Sequence, residues 1–154
     1  MGDQLTAFIR SRKEQGRPEV DWQAKKEDWI RSVEGLYTLV RKMLRKSIES
    51  KDVAVHTFNV EVDEDYIGTY TIPALELTVG GERVEFRPKG VLVFGAAGRV
   101  DVRGDRDSVT LIRNPNGQTS EWAVVLQRVP HLKTVQFDRE SLKYVLERVM
   151  VPLS

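Results

Sequence analysis

The chain has 154 residues, of which 40% are hydrophobic and 31% charged, with a formal net charge of +1. That is enough chain for a single domain with its own core, and the composition is that of a folded protein rather than a disordered one. The absence of cysteine excludes disulfides, thiolate metal sites and cysteine nucleophiles, and the near-neutral charge excludes a global pull toward nucleic acid.

The N-terminus, Met1 to Leu5, lacks the basic segment and apolar stretch of a secretory signal, and no run reaches the roughly 20 apolar residues that span a bilayer. Gly2 and Thr6 fit the short N-myristoylation pattern, which we read as a chance match. A cytoplasmic protein that does not engage membranes is expected. Leu5, Phe8 and Ile9 form a short apolar stripe at helical spacing, and Gly16 and Pro18 end it. From Asp21 to about Ser50 the residues Trp29, Val33, Leu36, Tyr37, Val40, Met43, Leu44 and Ile48 recur at steps of three and four, which predicts one amphipathic helix capped by Asp21. Its stripe is expected to pack on the protein's own sheet rather than in a coiled coil.

Beyond Lys51 the period becomes two. Ala54, His56, Phe58, Val60 and Val62 share one strand face, so His56 is expected to be a hydrogen-bonded core or edge histidine. In Tyr66 to Val79 the apolar face switches at Pro73, where a bulge or a sheet edge is predicted because proline has no amide to donate. Gly80-Gly81 signals a hairpin into Val84 and Phe86. Val91 to Phe94 reads as a buried central strand, Gly95 and Gly98 as a bend or close backbone approach, and Val100, Val102 and Val109 to Ile112 as further strands. Asn114 to Gly117 is a turn before Trp122, Val124 and Leu126, and Asp138 caps a last helix with the stripe Leu142, Val145, Leu146 and Val149. The expected fold is α+β: helices over residues 1–50, an antiparallel meander or half-barrel of six to seven strands over 52–128, and a helix over 138–150.

Three constellations bear on chemistry. Glu85, Arg87, Lys89, Asp101 and Arg103 alternate on adjacent strands, so Glu85, Lys89 and Asp101, with Glu76 as a further acid, are the candidates for metal-assisted hydrolysis. A solvated face with cross-strand ion pairs is the plainer reading. The glycines from Gly90 to Gly98 do not form a phosphate loop, because the segment leads into a strand and not a helix. Arg41, Lys42, Arg45 and Lys46 cluster on the outer side of the long helix and are candidates for binding nucleic acid or an acidic partner. His56 and His131 are the only imidazoles and lack ligand spacing, so no metal or cofactor is expected.

The stretches Arg87-Pro88-Lys89-Gly90, Gly98-Arg99-Val100-Asp101-Val102 and Tyr70-Thr71-Ile72-Pro73-Ala74-Leu75 resemble a group of uncharacterised bacterial proteins. The resemblance implies a bacterial cytoplasmic origin and carries over no activity and no site residue. Together these readings lead us to expect a non-enzymatic interaction or accessory protein, such as an immunity, antitoxin or defence-system component. It would engage another protein or a second copy of itself, with Trp22, Tyr66 and Trp122 as candidate anchors. A nucleic-acid-binding protein and a metal-dependent nuclease-like hydrolase are the alternatives.

Overall fold

The computed structural model describes residues 3–15, 20–91, 97–114 and 121–153. The chain adopts the expected α+β class: helices α1 (Asp3–Gln15), α2 (Trp22–Met43) and α3 (Arg45–Glu49), then strands β1 (Val53–Glu64), β2 (Gly68–Val79), β3 (Glu82–Gly90), β4 (Arg99–Arg103), β5 (Ser108–Arg113), β6 (Trp122–Gln127) and β7 (Lys133–Gln136), and finally helix α4 (Arg139–Val149). The seven strands form an open sheet in the order β1-β2-β3-β4-β5-β6-β7, each antiparallel to the next, so the sheet is a meander. The expected strand at Val91 to Phe94, Gly95, and the turn at Asn114 to Gly117 fall largely outside the described residues.

Helix α2 starts where its cap dictates: the Asp21 carboxylate accepts from the Ala24 amide at 3.0 Å. Trp29, Val33, Leu36, Tyr37 and Val40 are all buried, and they turn one stripe of the helix onto the sheet. The single helix expected from Asp21 to Ser50 is instead two. Leu44 leaves helical geometry at φ −97° and ψ 10°, and the Met43 carbonyl accepts from Arg139 Nη1 of α4 at 2.5 Å. Helix α4 begins with a capping box, in which the Asp138 carboxylate accepts from the Ser141 amide and the Ser141 hydroxyl accepts from the Asp138 amide.

Strands β3 to β6 bury Val84, Phe86, Val100, Val102, Val109, Leu111 and Val124 on the face that α2 and α4 cover. The pleat places Glu85, Arg87, Arg99, Asp101 and Thr110 on the opposite face. Gly80 and Gly81 take φ of 56° and 86°, the two positive values that a two-residue hairpin turn requires. In β2 the inward parity changes beside Pro73, close to where it is expected, between Ala74 and Leu75: Tyr70, Ile72 and Ala74 are buried before the change, and Leu75 and Leu77 after it. There is no bulge there. Pro73 opposes Asn59 in unbroken register, and the pairing to β3 ends at Leu75 opposite Phe86, so the proline lies past the end of that ladder. The Tyr37 hydroxyl donates to the Pro73 carbonyl at 2.8 Å and to the Phe86 carbonyl at 3.3 Å, which fixes α2 at this crossover.

His56 takes the edge place of the two expected for it, but the strand face around it is not the covered one that its apolar neighbours predict. It is exposed on edge strand β1, with its ring against Phe58 at 6.1 Å between centroids, because the face it shares with Val60 and Val62 is covered only at the distal end of the strand. Trp122 also differs from its expected role as a surface anchor: it is buried, tilted against Trp29 at 5.9 Å. Gly98, at φ 151°, lies so close that a Cβ there would overlap the Trp29 ring, as the expectation of close backbone approach required.

Candidate functional site

The ionic face of the sheet holds two of the candidate catalytic carboxylates, and the structure engages each with an arginine. Arg87 Nη1 donates to Glu85 at 3.0 Å, Arg99 Nε donates to Asp101 at 2.7 Å, and the Thr110 hydroxyl donates to Asp101 at 3.3 Å. Glu76 opposes Glu85 across the strands and pairs with Arg83 at 3.9 Å, while Arg103 opposes Glu85 on the other side. The Glu85 and Asp101 pairs each join residues two apart on one strand, whereas Glu76 and Arg83 pair across strands, and carboxylates engaged by guanidinium groups are poor open ligands. Among the described residues no group of three or more histidine, aspartate or glutamate side chains is placed to hold a metal ion.

Lys89 is not part of that face. It sits at the irregularity between Pro88 and Gly90, where β3 and β4 shift register, and lines a depression of about 520 Å3 with Trp22, Asp63, Glu64, Asp65 and Tyr66. There Tyr66 stacks on Trp22 at 5.2 Å between centroids, with the Lys25 ammonium 5.6 Å from the Trp22 ring. Glu64 beneath them accepts from the Tyr70 hydroxyl and from the Val91 amide. Burial, reinforced by Glu64, pushes the Tyr70 phenol well above its ordinary value, and burial does the same for Tyr37 with Glu85 adding to it.

The basic cluster occupies the junction of α2 and α3. Arg41, Lys42, Arg45 and Lys46 are all exposed, and Arg45 is paired with Glu49 at 3.1 Å. The junction also bears a feature that the sequence reading missed. Between the end of α2, the β2–β3 turn, α4 and the segment that follows it, the elements leave a groove of about 890 Å3. Met43, Leu44, Val79, Leu142, Leu146 and Met150 form its apolar floor, and Val151, Pro152 and Leu153 form a wall. The wall is held by the Val151 amide, which donates to Glu82 Oε1 at 2.9 Å, and by the Met150 amide, which donates to the Leu146 carbonyl at 3.0 Å. Arg106, Arg139 and Lys143 stand on the rim with Glu82 and Glu147. Arg106 is placed there by its own amide, which donates to the Val149 carbonyl at 2.9 Å, and by the adjacent Asp107, which pairs with Arg148 at 2.9 Å.

The signal for this groove lay in α4. Leu142, Leu146 and Met150 recur at four-residue steps beside the Val145 and Val149 stripe, giving the helix a wider apolar surface than one sheet contact covers. No helix among the described residues is long and apolar enough to cross a membrane. No model of a known protein family matches the chain, and neither a curated protein nor a solved structure matches it.

Proposed function

We propose that this is a non-enzymatic interaction or accessory protein of the bacterial cytoplasm, such as an immunity, antitoxin or defence-system component, and that it docks a partner protein in the groove at the C-terminal end of α2. The groove carries this reading: about 890 Å3 of open space over an apolar floor, beside a helix–sheet core in which Trp29, Val33, Leu36 and Val40 are wholly buried. Apolar surface of this kind, rimmed by polar groups, is the ordinary mark of a binding site. Met43 and Met150 suit it, because an unbranched thioether side chain adapts to whatever shape it meets. The arginine-held carboxylates of the ionic face support a hydrolase much less.

Site-specific photocrosslinking in the native host tests the proposal. A benzophenone residue at Leu153, which is fully exposed on the groove wall, should give one discrete protein adduct that is lost when Leu146→Lys places a charge in the floor. No adduct, or the same adducts from Leu153 and from Glu61 on the distant edge strand, sinks it. An adduct at twice the chain mass identifies a second copy as the partner. Nucleic acid is the second reading, supported by the exposure of the Arg41, Lys42, Arg45 and Lys46 cluster. It requires binding that weakens steeply with salt and is lost when all four become glutamate.

A further inference from the structure

We infer that the segment received by the groove is an amphipathic helix with an apolar stripe and an acidic flank, an inference that rests on the groove being the docking surface. The charges around the groove do not cancel. Of the acids nearby, Glu82 accepts from the Val151 amide, Glu147 pairs with Lys143 at 3.6 Å, Asp107 pairs with Arg148, Glu49 pairs with Arg45, and the Asp138 carboxylate accepts from the Ser141 amide. Glu140 and Asp105 are exposed and do not line the groove, and Asp107 also feels the neighbouring Arg106.

The cations are not used up in the same way. Arg139 donates to the Met43 carbonyl, a neutral acceptor that leaves its charge uncompensated. Among the described residues, no carboxylate lies within salt-bridge reach of Arg41, Lys42, Lys46, Arg106 or Arg139. Arg106 and Arg139 stand on the groove itself, and Arg41, Lys42 and Lys46 lie on the adjoining α2–α3 junction, so the apolar floor and its surroundings complement an occupant that carries apolar and anionic groups together. The groove is open along one side, so whatever lies in it keeps a face in water. A helix meets that condition by laying one stripe into the groove and leaving its acids at the rim. An alkyl chain does not, because small apolar ligands are held by enclosure.

Fluorescence anisotropy with synthetic peptides decides the point. The probe is a labelled helix with leucine at i, i+3, i+4 and i+7 and glutamate on its other faces. Its comparators are the same stripe with lysine in place of glutamate, the acidic peptide in scrambled order, and vesicles of mixed neutral and anionic lipid. The acidic amphipathic peptide should bind, its affinity should fall with salt, and the lysine version should bind at least about tenfold more weakly. The Arg106→Glu, Arg139→Glu double variant should lose about tenfold or more, and Lys46→Glu, which removes no hydrogen bond, should lose a smaller factor with circular dichroism unchanged. Equal binding of the acidic and basic peptides, indifference to these charge reversals, or vesicle binding in place of peptide binding overturns the inference. If both peptides bind equally and Leu146→Lys abolishes both, the acidic preference fails while groove docking stands. If no peptide binds and Leu153 gives no crosslink, both fall.

Discussion

The two ends of α2 meet the same sheet with opposite results. Near its N-terminal end, Trp29 and Trp122 fill the space between helix and strands so fully that Gly98 has no room for a β-carbon. At its C-terminal end, Met43 and Leu44 face Val79 and Leu146 across a gap of about 890 Å3. One helix and one core cluster contain both, so the gap is not the slackness of a poorly packed protein. It is a local choice of side chains and of the route taken by residues 150–153.

The largest test of that contrast is a pair of truncations. Trp29→Ala should cost about 4 kcal/mol, because a wholly buried indole leaves a cavity its neighbours cannot refill. Met43→Ala should cost only about 1 kcal/mol, since the side chain is only partly buried and already borders open space. Urea denaturation of both variants gives the comparison directly. Equal costs would mean that the groove is closed in solution, and the contrast would be broken.

A smaller effect sharpens the filled side. Burial raises the Tyr37 and Tyr70 phenols well above the ordinary 10.0, so the folded state holds their protons more tightly than the unfolded state does. A group with a raised folded value contributes stability that is complete below its unfolded value and is lost as pH climbs past it. Stability should therefore hold up to about pH 10 and decline above it. The phenolate absorbance that disappears in Tyr37→Phe and Tyr70→Phe should appear in the parent protein only as it unfolds. Tyr37→Phe should itself cost about 1 to 2 kcal/mol, the usual range for stranding buried acceptors, here the Pro73 and Phe86 carbonyls. Phenolate signal from these two residues in the folded protein would show that water reaches the core.

Much of the filled side was legible in the sequence and little of the open side was. Trp29, Val33, Leu36 and Val40 declare their helix face by spacing alone, and Asp21 and Asp138 declare their caps, because both signals are local. The alternation from Glu85 to Arg103 likewise placed Glu85 and Asp101 on one face of the sheet. Lys89 broke from that row because a register shift beside it is set by strand pairing, which no alternation records. For His56 the alternation left core and edge both open, because both faces of β1 carry apolar residues and only the tertiary arrangement decides which end is covered. The groove is the extreme case. Met43, Val79, Arg106 and Leu146 come from four separate elements and turns, so the width of the α4 stripe is the one local trace of a gap that only their tertiary arrangement creates.

The smallest effect concerns the seat of Arg106 on the open side. The Ser108 amide, and then Arg148, hold the Asp107 carboxyl below its ordinary value of 3.8. A lowered folded value gives stability that is present above the unfolded value and lost as pH falls below it, so the contribution should fade below about pH 4. The pair lies at the surface, and screening keeps its contribution small and sensitive to salt. Asp107→Asn should therefore be slightly less stable than the parent at pH 7, with the difference shrinking both on acidification and in high salt. Thermal melts across that range read the effect. No difference at any pH would assign the role of Asp107 to its hydrogen bond with the Ser108 amide, which asparagine can still accept, and would leave the turn that carries Arg106 without an ionic anchor to α4.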